Sequence, residues 1–291
     1  MSTEPAPTQH AQGNARGDPR ATDRLRAHYE VERELGDRLR RAPAAERRAL
    51  YAKVYDELYA RVPDHPQLTR KSSVERSETA VTAQYRLLRR FLTRESTFLE
   101  IGAGDCAVSL RACADAGQVI AADVSDAITS GEKRPSNFRL VLFDGCELGL
   151  PDASVDVAYS NQVIEHLHPE DAVTQLRSIL RVLKPGGAYV CVTPNRVNGP
   201  HDVSRFFDKE ATGFHMKEYT HGELAALMRQ VGFVDPQAVV GVKGKFAAVP
   251  VPVMRAVDAG ASLLPRALRR RLDFLLERLL MVRIVGRKPR A

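Results

Sequence analysis

Tryptophan is absent, and aromatic residues make up only 6% of the chain. No run reaches the roughly eighteen apolar residues that a membrane-crossing helix needs, so no span is expected. Cysteine is scarce. Cys106, Cys113, Cys146 and Cys191 form no CxxC pair, and no Cys/His cluster has zinc-ligand spacing. A disulfide framework and a bound metal are therefore not expected, and the thiols read as reduced core residues of a cytoplasmic protein. The opening stretch MSTEPAPTQHAQGNARGDPR has no apolar core and so is not a secretory signal. An aromatic–basic stacking motif, a zinc module and a recognition helix are also lacking, so no nucleic-acid partner is expected.

What is present describes a soluble globular chain of 291 residues, 44% hydrophobic and 27% charged. The net charge of +7 is local. From Lys243 to the end, twelve Lys and Arg stand against Asp258, Asp273 and Glu277. Basicity belongs to the tail.

The chain divides by pattern. Residues 1–22 have little to bury and read as a disordered tail. Residues 23–94 carry apolar residues at helical spacing. Pro43 splits the first two helices, Pro63 to Pro66 ends the second, and a third is expected from Ser73 to Leu92. Residues 95–245 alternate in the α/β manner. Buried strands are expected at 98–101, 118–122, 139–143, 155–159, 188–192 and 237–242. Residues 246–279 read as a basic helical insertion, and 280–291 as the last strand and its tail.

The segment FLEIGAGDC, Phe98 to Cys106, organises this core. A short apolar strand breaks at Gly102, Ala103 and Gly104, and a helix from Ala107 to Ala116 is expected to follow. Such a turn lets backbone approach a ligand and aims unpaired N–H groups at it. Gly102, Gly104 and Ala107 satisfy the dinucleotide fingerprint, with Asp123 at the distance of a ribose ligand. That keeps open a nicotinamide-dependent oxidoreductase. The charges favour another ligand. Asp105 puts a carboxylate where a pyrophosphate would sit, whereas S-adenosylmethionine carries an ammonium, a sulfonium and no phosphate. Four successive strands end in polar residues, which is the edge where open α/β sheets bind ligands.

FLEIGAGDC, VIAADVS, LVLFDGCELGLPDASVDVAYSNQVIEHL and LRVLKPGGAYVCVTPNR together resemble the class I S-adenosylmethionine-dependent methyltransferases, in particular the group that includes quinone-biosynthesis enzymes. The resemblance covers about residues 95–235. It implies a Rossmann-like, doubly wound seven-stranded α/β sheet with an antiparallel last strand inserted beside the fifth. Here that core would carry an N-terminal helical extension and a helical insertion before the last strand. It also implies site roles. Gly102 and Gly104 would lie under the methionine moiety, ordered by Glu100, with Asp105 near the amino acid end. Asp123 would take both ribose hydroxyls, since a carboxylate offers acceptors to two donors. Asp144 would accept the adenine amino group beside Gly145, and Asn161 and Gln162 would border the methionine part.

Methyl transfer from a sulfonium is an in-line displacement, so the protein mainly orients the partners and excludes water. An oxygen acceptor also loses a proton, for which histidine is suited. His201 beside Asp202, His215, and His166 in VIEHLH are the candidate bases; His168 reads as a helix cap. Arg196, Arg205 and Lys217 are candidates for binding an acidic acceptor. The loop from Pro194 to Tyr219 reads as a substrate lid. The expected reaction is methylation of an oxygen, with nitrogen or carbon as alternatives, on a small molecule, sugar or glycan precursor. A non-catalytic S-adenosylmethionine-binding protein is the further alternative. Leucines and arginines of 263–280 also suit contact with an anionic inner membrane face or a lipid-linked acceptor, against a helix simply packed beside the last strand.

Overall fold

Strands made of apolar residues with no polar alternate must be covered on both faces, and this sets the architecture. In a computed structural model of the chain, residues 18, 20–69, 74–125, 134–242, 244–272, 276 and 279–290 are described. The elements are α1 (Thr22–Arg41), α2 (Ala44–Arg61), α3 (Pro66–Thr69), α4 (Val74–Leu88), β1 (Thr97–Ile101), α5 (Ala107–Ala112), β2 (Gln118–Asp123), β3 (Phe138–Leu142), β4 (Val155–Asn161), α6 (Pro169–Val182), β5 (Leu183–Thr193), α7 (His221–Val231), β6 (Val234–Val242), β7 (Lys245–Val249), α8 (Val251–Leu263), α9 (Arg266–Arg271) and β8 (Val282–Arg287).

One sheet holds all of the strands in the order β3-β2-β1-β4-β5-β8-β6-β7. β1 to β5 pair in parallel, and β8 runs antiparallel between β5 and β6. The insertion of the last strand beside the fifth is as the resemblance implied. Among the described residues the strand number is eight, not seven. Phe246 to Val249, expected to open the helical insertion, instead belong to β7, which folds back on β6 through a turn at Gly244, whose φ is +77°. Phe246 and Val249 are half-buried and the other residues of this edge strand are exposed.

Other boundaries moved for local reasons. α5 stops at Ala112, four residues early, because the Asn137 side chain donates to the carbonyls of Cys113 and Ala116 and ends the helix there. The helix before β1 ends at Leu88 rather than Leu92. The last strand runs 282–287 rather than 280–285. Of the stretch expected to be disordered, 1–17 and 19 lie outside the described residues, while Asp18 and Arg20 pair with each other and Arg20 reaches His28.

Successive side chains of each strand face opposite layers. Leu99 and Ile101 face Leu176 and Ile179 of α6 and the apolar stripes of α1 and α2. Phe98, Val119 and Val157 face Tyr85 and Leu88 of α4 and Val108 of α5.

The N-terminal helices are fastened to the carboxyl edge of the sheet, not to its side. Arg47 of α2 is buried and donates from Nε to Asp171 Oδ2 at 2.7 Å. Its Nη2 donates to Asp171 Oδ1 at 3.2 Å and to Glu170 Oε2 at 2.7 Å. Tyr51 donates to Asp171 Oδ2 at 2.7 Å and accepts from the His168 N–H at 3.1 Å. This pins α2 to the first turn of α6, directly above the end of β4.

Removing one partner of such a buried pair strands the other. Arg47→Met should lower unfolding free energy by about 3–5 kcal/mol in urea titrations. Arg47→Met combined with Asp171→Leu should recover part of that loss, because no unpaired charge then remains.

Candidate active site at the carboxyl edge

The glycine turn is a chain of left-handed residues. Gly102, Gly104 and Cys106 have φ of 68°, 52° and 61°. A Cβ on Gly102 would overlap the Val163 side chain, so glycine is required there for space as well as conformation. The turn does not present unpaired N–H groups as expected. Gly102 and Ala103 donate to the Ala122 carbonyl at 2.8 and 3.3 Å. Gly104 donates to Asp123 Oδ2 at 2.8 Å. Asp105 is exposed and caps the short helix by accepting the Ala107 N–H at 3.1 Å.

Asp123 accepts three backbone donors in all, the others being Val124 at 2.7 Å and Ser125 at 3.3 Å. Burial pushes its pKa up, and these bonds oppose the shift. Glu100 is buried under the turn and accepts the Ser109 hydroxyl at 2.5 Å, which ties β1 to α5. Burial raises its pKa to about 8. Cys106 is buried and burial lifts its thiol to about 11, so it packs and stays protonated.

Beyond β3, Asp144 Oδ1 accepts the N–H groups of Cys146 and Glu147, and Oδ2 lies 3.7 Å from Arg48 of α2. Gly145 lies against Tyr51, whose ring would stand 3.3 Å from a Cβ at that position. Two further tyrosines of α2, Tyr55 and Tyr59, are half-buried and electrostatically coupled to Asp123. Burial pushes both phenols up, Tyr59 to about 12. The helix α2 thus roofs the edge between Asp123 and Asp144. At the end of β4, Asn161 is half-buried. Gln162 is exposed and its amide meets Met281 Sδ at 3.8 Å, which turns it away from the glycine turn.

A second group lies above β4 and β5. Glu165 is fully buried; its Oε2 accepts the Thr193 hydroxyl at 2.9 Å, and its Oε1 has no hydrogen-bond partner. Burial raises its pKa to about 7, tempered by His215. His166 follows it in a 3₁₀ turn and donates from Nδ1 to the Phe214 carbonyl at 3.2 Å. Burial, with His215 adding, lowers its pKa to about 3, so the ring is neutral. The His166 and His215 rings meet edge to face at 4.8 Å. Burial alone would lower His215. Its bond from Nδ1 to Glu218 Oε1 at 2.7 Å, with Glu165 and Asp202 nearby, outweighs that and raises its pKa to about 9.

The expected lid is a folded structure. Met216 and Lys217 donate to the Glu165 carbonyl at 2.7 and 3.1 Å, and Asn195 bridges Tyr219. Phe214 N–H reaches Glu32 of α1 at 3.3 Å, joining lid and N-terminal helices. One arrangement expected from the sequence is not formed. His201 and Asp202 do not pair: His201 Nε2 donates to the Asn195 carbonyl at 3.0 Å, while Asp202 caps the turn at Ser204 and accepts from Gly213 and His215. Adjacent residues in an extended segment point apart. Among the candidate cations, Arg196 pairs with Glu223 at 2.8 Å, Arg205 lies over Phe206, and exposed Lys217 lies over Tyr219. His168 does cap α6, accepting from Glu170 N–H at 3.3 Å.

Sequence reasoning missed Glu165, Glu218, Tyr55 and Tyr59. Glu218 had a signal, since it stands three residues after His215. The tyrosines had none, because nothing local says which face of α2 meets the sheet.

Residues 99–191 match the family model of the methyltransferase domain. A probable S-adenosylmethionine-dependent methyltransferase of Mycobacterium tuberculosis is 38% identical over 139 residues, which are 47% of this chain and 48% of that protein. The chain spans about half the length of the curated relatives it matches. Among solved structures, the 1,6-didemethyltoxoflavin-N1-methyltransferase of Burkholderia thailandensis, with S-adenosylhomocysteine bound, superimposes with a TM-score of 0.51 at 19% identity, covering 85% of this chain and 91% of that one. The [4+2]-cyclase SpnF gives 0.50 at 19% identity over 72% and 82%. These two show the fold. Residues 99–191 form a class I S-adenosylmethionine-dependent methyltransferase domain, and S-adenosylmethionine, rather than a nicotinamide, is the cofactor.

Glu100 has a raised folded pKa, so its favourable contribution is full below its unfolded value of 4.5 and is lost as pH rises through about 8. Thermal stability should therefore fall between pH 5 and pH 9. Glu100→Gln keeps an acceptor for Ser109 and should flatten part of that fall; an unchanged slope in differential scanning would refute the assignment.

Proposed function

We propose that this methyltransferase domain transfers the methyl group of S-adenosylmethionine to an oxygen of a small molecule, sugar or glycan precursor. The observation that carries the oxygen preference is the convergence of Glu165, His166 and His215 above β4 and β5, next to the glycine turn. An alcohol or phenol must lose its proton as it attacks, and an ionisable cluster in a dry site gives the proton a destination. A neutral amine attacks with its own lone pair and loses its proton afterwards, so it needs such a group less.

In this reading the cofactor lies along the edge from β1 to β3. Asp123 holds the ribose hydroxyls in exchange for the Gly104 N–H it now accepts, and Asp144 and Gly145 receive the adenine beneath Tyr51. The turn at Gly102 and Gly104 lies under the methionine part, with Glu100 fixing it from below. Asp105 and Asn161 border the cationic end. Gln162 contributes backbone there, since its side chain faces Met281. Buried carboxylates near the ammonium and sulfonium favour that cofactor on electrostatic grounds. The acceptor enters between α2 and the lid. His166, neutral and with Nε2 not used by the Phe214 bond, accepts the hydroxyl hydrogen bond, and Glu165, with a pKa of about 7, is the group of the cluster basic enough to hold the proton; His215, held cationic by Glu218, suits an anionic acceptor group. His201 supports the lid.

A lipid-linked acceptor at the inner face of a membrane is the second reading. It is favoured by the exposure of Leu263, 84%, beside the cationic α9. Residues 273–275, 277 and 278 of that segment lie outside the described residues. No described helix is long and apolar enough to cross a membrane.

Calorimetric titration should show S-adenosylmethionine binding and no NAD binding; the reverse would overturn the proposal. Asp123→Ala should weaken the cofactor by about 10–100-fold, the loss of bonds to a charged acceptor. With labelled donor and hydroxylated acceptors, His166→Ala should lower kcat while leaving cofactor affinity unchanged. Absence of label transfer to any acceptor class would support a non-catalytic binding protein. Co-sedimentation with anionic vesicles at low salt tests the lipid reading, and no binding would remove it.

A further inference from the structure

Two buried groups of side chains bring one carboxylate and two imidazoles together: His28, Glu32 and His65, and Glu165, His166 and His215. Within each group the potential ligand atoms lie within 4.8 Å of one another. They are separated by what stands behind the rings.

At His28, Arg20 donates to Nδ1 at 3.0 Å, because a guanidinium has no other role. Nδ1 is then the acceptor, and Nε2 carries the proton and gives it to Glu32 at 2.8 Å. That ring has no lone pair left for an ion, and a cation sits behind it. This group is a closed hydrogen-bond network.

At the second group the order is reversed. The partner of His166 Nδ1 is a carbonyl oxygen and that of His215 Nδ1 is a carboxylate, neither of which donates. Each Nδ1 therefore carries a proton, and Nε2 is the nitrogen that can coordinate; at His215, which is otherwise cationic, the ion takes the place of the Nε2 proton. An imidazole whose far N–H is fixed by a backbone carbonyl or a carboxylate is the usual form of a metal-bound histidine. Glu165 is oriented likewise, with Thr193 on Oε2 and a buried Oε1 without a partner. An unpaired, fully buried carboxylate oxygen costs free energy unless something satisfies it.

We propose that Glu165, His166 and His215 bind one divalent transition-metal ion, with Thr193, Phe214 and Glu218 orienting the three ligands. Two nitrogens and one oxygen suit Zn²⁺ or a neighbouring first-row ion rather than Mg²⁺ or Ca²⁺. Bonds of about 2.0–2.1 Å require ligand atoms roughly 3.3 Å apart, so small rotations of the three side chains complete the site. Three protein ligands leave a position open for water or an acceptor oxygen, and His166 is the ligand that is partly exposed. At His166 Nε2 the ion and the hydroxyl hydrogen bond are alternatives, so metal-loaded and metal-free chain differ in what meets the acceptor. The metal assignment does not rest on the methyl-transfer reading, since binding is measured without cofactor or acceptor.

The test is equilibrium dialysis of the full chain, stripped with chelator, against Zn²⁺ and against Co²⁺, with the visible absorption of bound Co²⁺ as a report on nitrogen ligation. One equivalent should bind. Glu165→Gln and His166→Ala should each weaken it at least 100-fold, and Glu218→Gln by about 10–100-fold, as for an orienting partner. His65→Ala, in the other group, should leave it unchanged. Thermal melts of each variant separate loss of the ion from loss of the fold, and His166→Ala, at a half-exposed position, is the variant that decides if Glu165→Gln unfolds. No stoichiometric binding, retention in His166→Ala, or loss in His65→Ala would each overturn the proposal.

Discussion

The ion pair of Arg47 with Asp171 decides what can happen above the sheet. A parallel sheet leaves its carboxyl edge open, and something must cover it without burying unpaired groups. Here α2 does so, and it is held by a charge pair that is buried on both sides and completed by Tyr51. Coulombic attraction between buried charges barely exceeds their desolvation. Its contribution is therefore one of position: α2 has one register on α6, because any other would leave Arg47 or Asp171 unpaired. That register places Tyr51 on Gly145, Arg48 near Asp144, and Tyr55 and Tyr59 around Asp123. The cofactor edge and its roof are one construction.

The charges within that construction have one dominant sign. Glu100, Asp123, Glu165, Asp202 and Glu218 all lie buried or nearly so along the edge, and burial drives most of them toward the neutral form. Glu218 is the exception, because His215 faces it and holds its pKa down against burial. The cations within reach are few: Arg48 stands beside Asp144 and His215 beside Glu218, while Arg196 pairs with Glu223 at the surface. A site of this kind repels phosphate and favours a ligand with positive charge. The glycine spacing by itself suits a dinucleotide equally well, so electrostatics, and not backbone shape, separates the two cofactors. The matched relatives, named for S-adenosylmethionine, fall on the side that the charges indicate.

Much of the sheet was legible because its signals are local. Apolar runs ending in Gly-Ala-Gly, Asp123, Asp-Gly and Ser-Asn mark strands with a common functional edge, and the position of the last strand came through the resemblance. The β6–β7 hairpin was not legible, since Lys245 to Val249 is short and its pairing depends on Gly244 adopting a left-handed turn. Gly102, Gly104, Asp123 and Asp144 lie at the carboxyl edge as strand spacing predicts, although Gln162 turns outward at a positive φ of 58°. The acid–base group was half legible. Histidines stand out in a sequence, but their partners are fixed by how the lid folds: His215 meets Glu218 three residues on across a non-helical bend, while His201 and Asp202, neighbours in the chain, diverge. Contacts between α2 and the edge had no local signature at all.

Asp123 shows how such a site can hold its shape and still yield to a ligand. Buried N–H groups left unpaired cost about 1–3 kcal/mol each, and the glycine turn would have several. It satisfies them itself: Ala122 takes two, and Asp123 takes Gly104. A carboxylate has about four acceptor positions, and three are already in use. In the proposed reading one ribose hydroxyl takes the free position and its neighbour competes with the Gly104 N–H. That group sits on a residue whose added Cβ would meet nothing within 4 Å, so the backbone there has room to turn. The released N–H then points into the same cleft as the incoming ligand. One hydrogen bond therefore keeps the turn closed and supplies the donor once it opens.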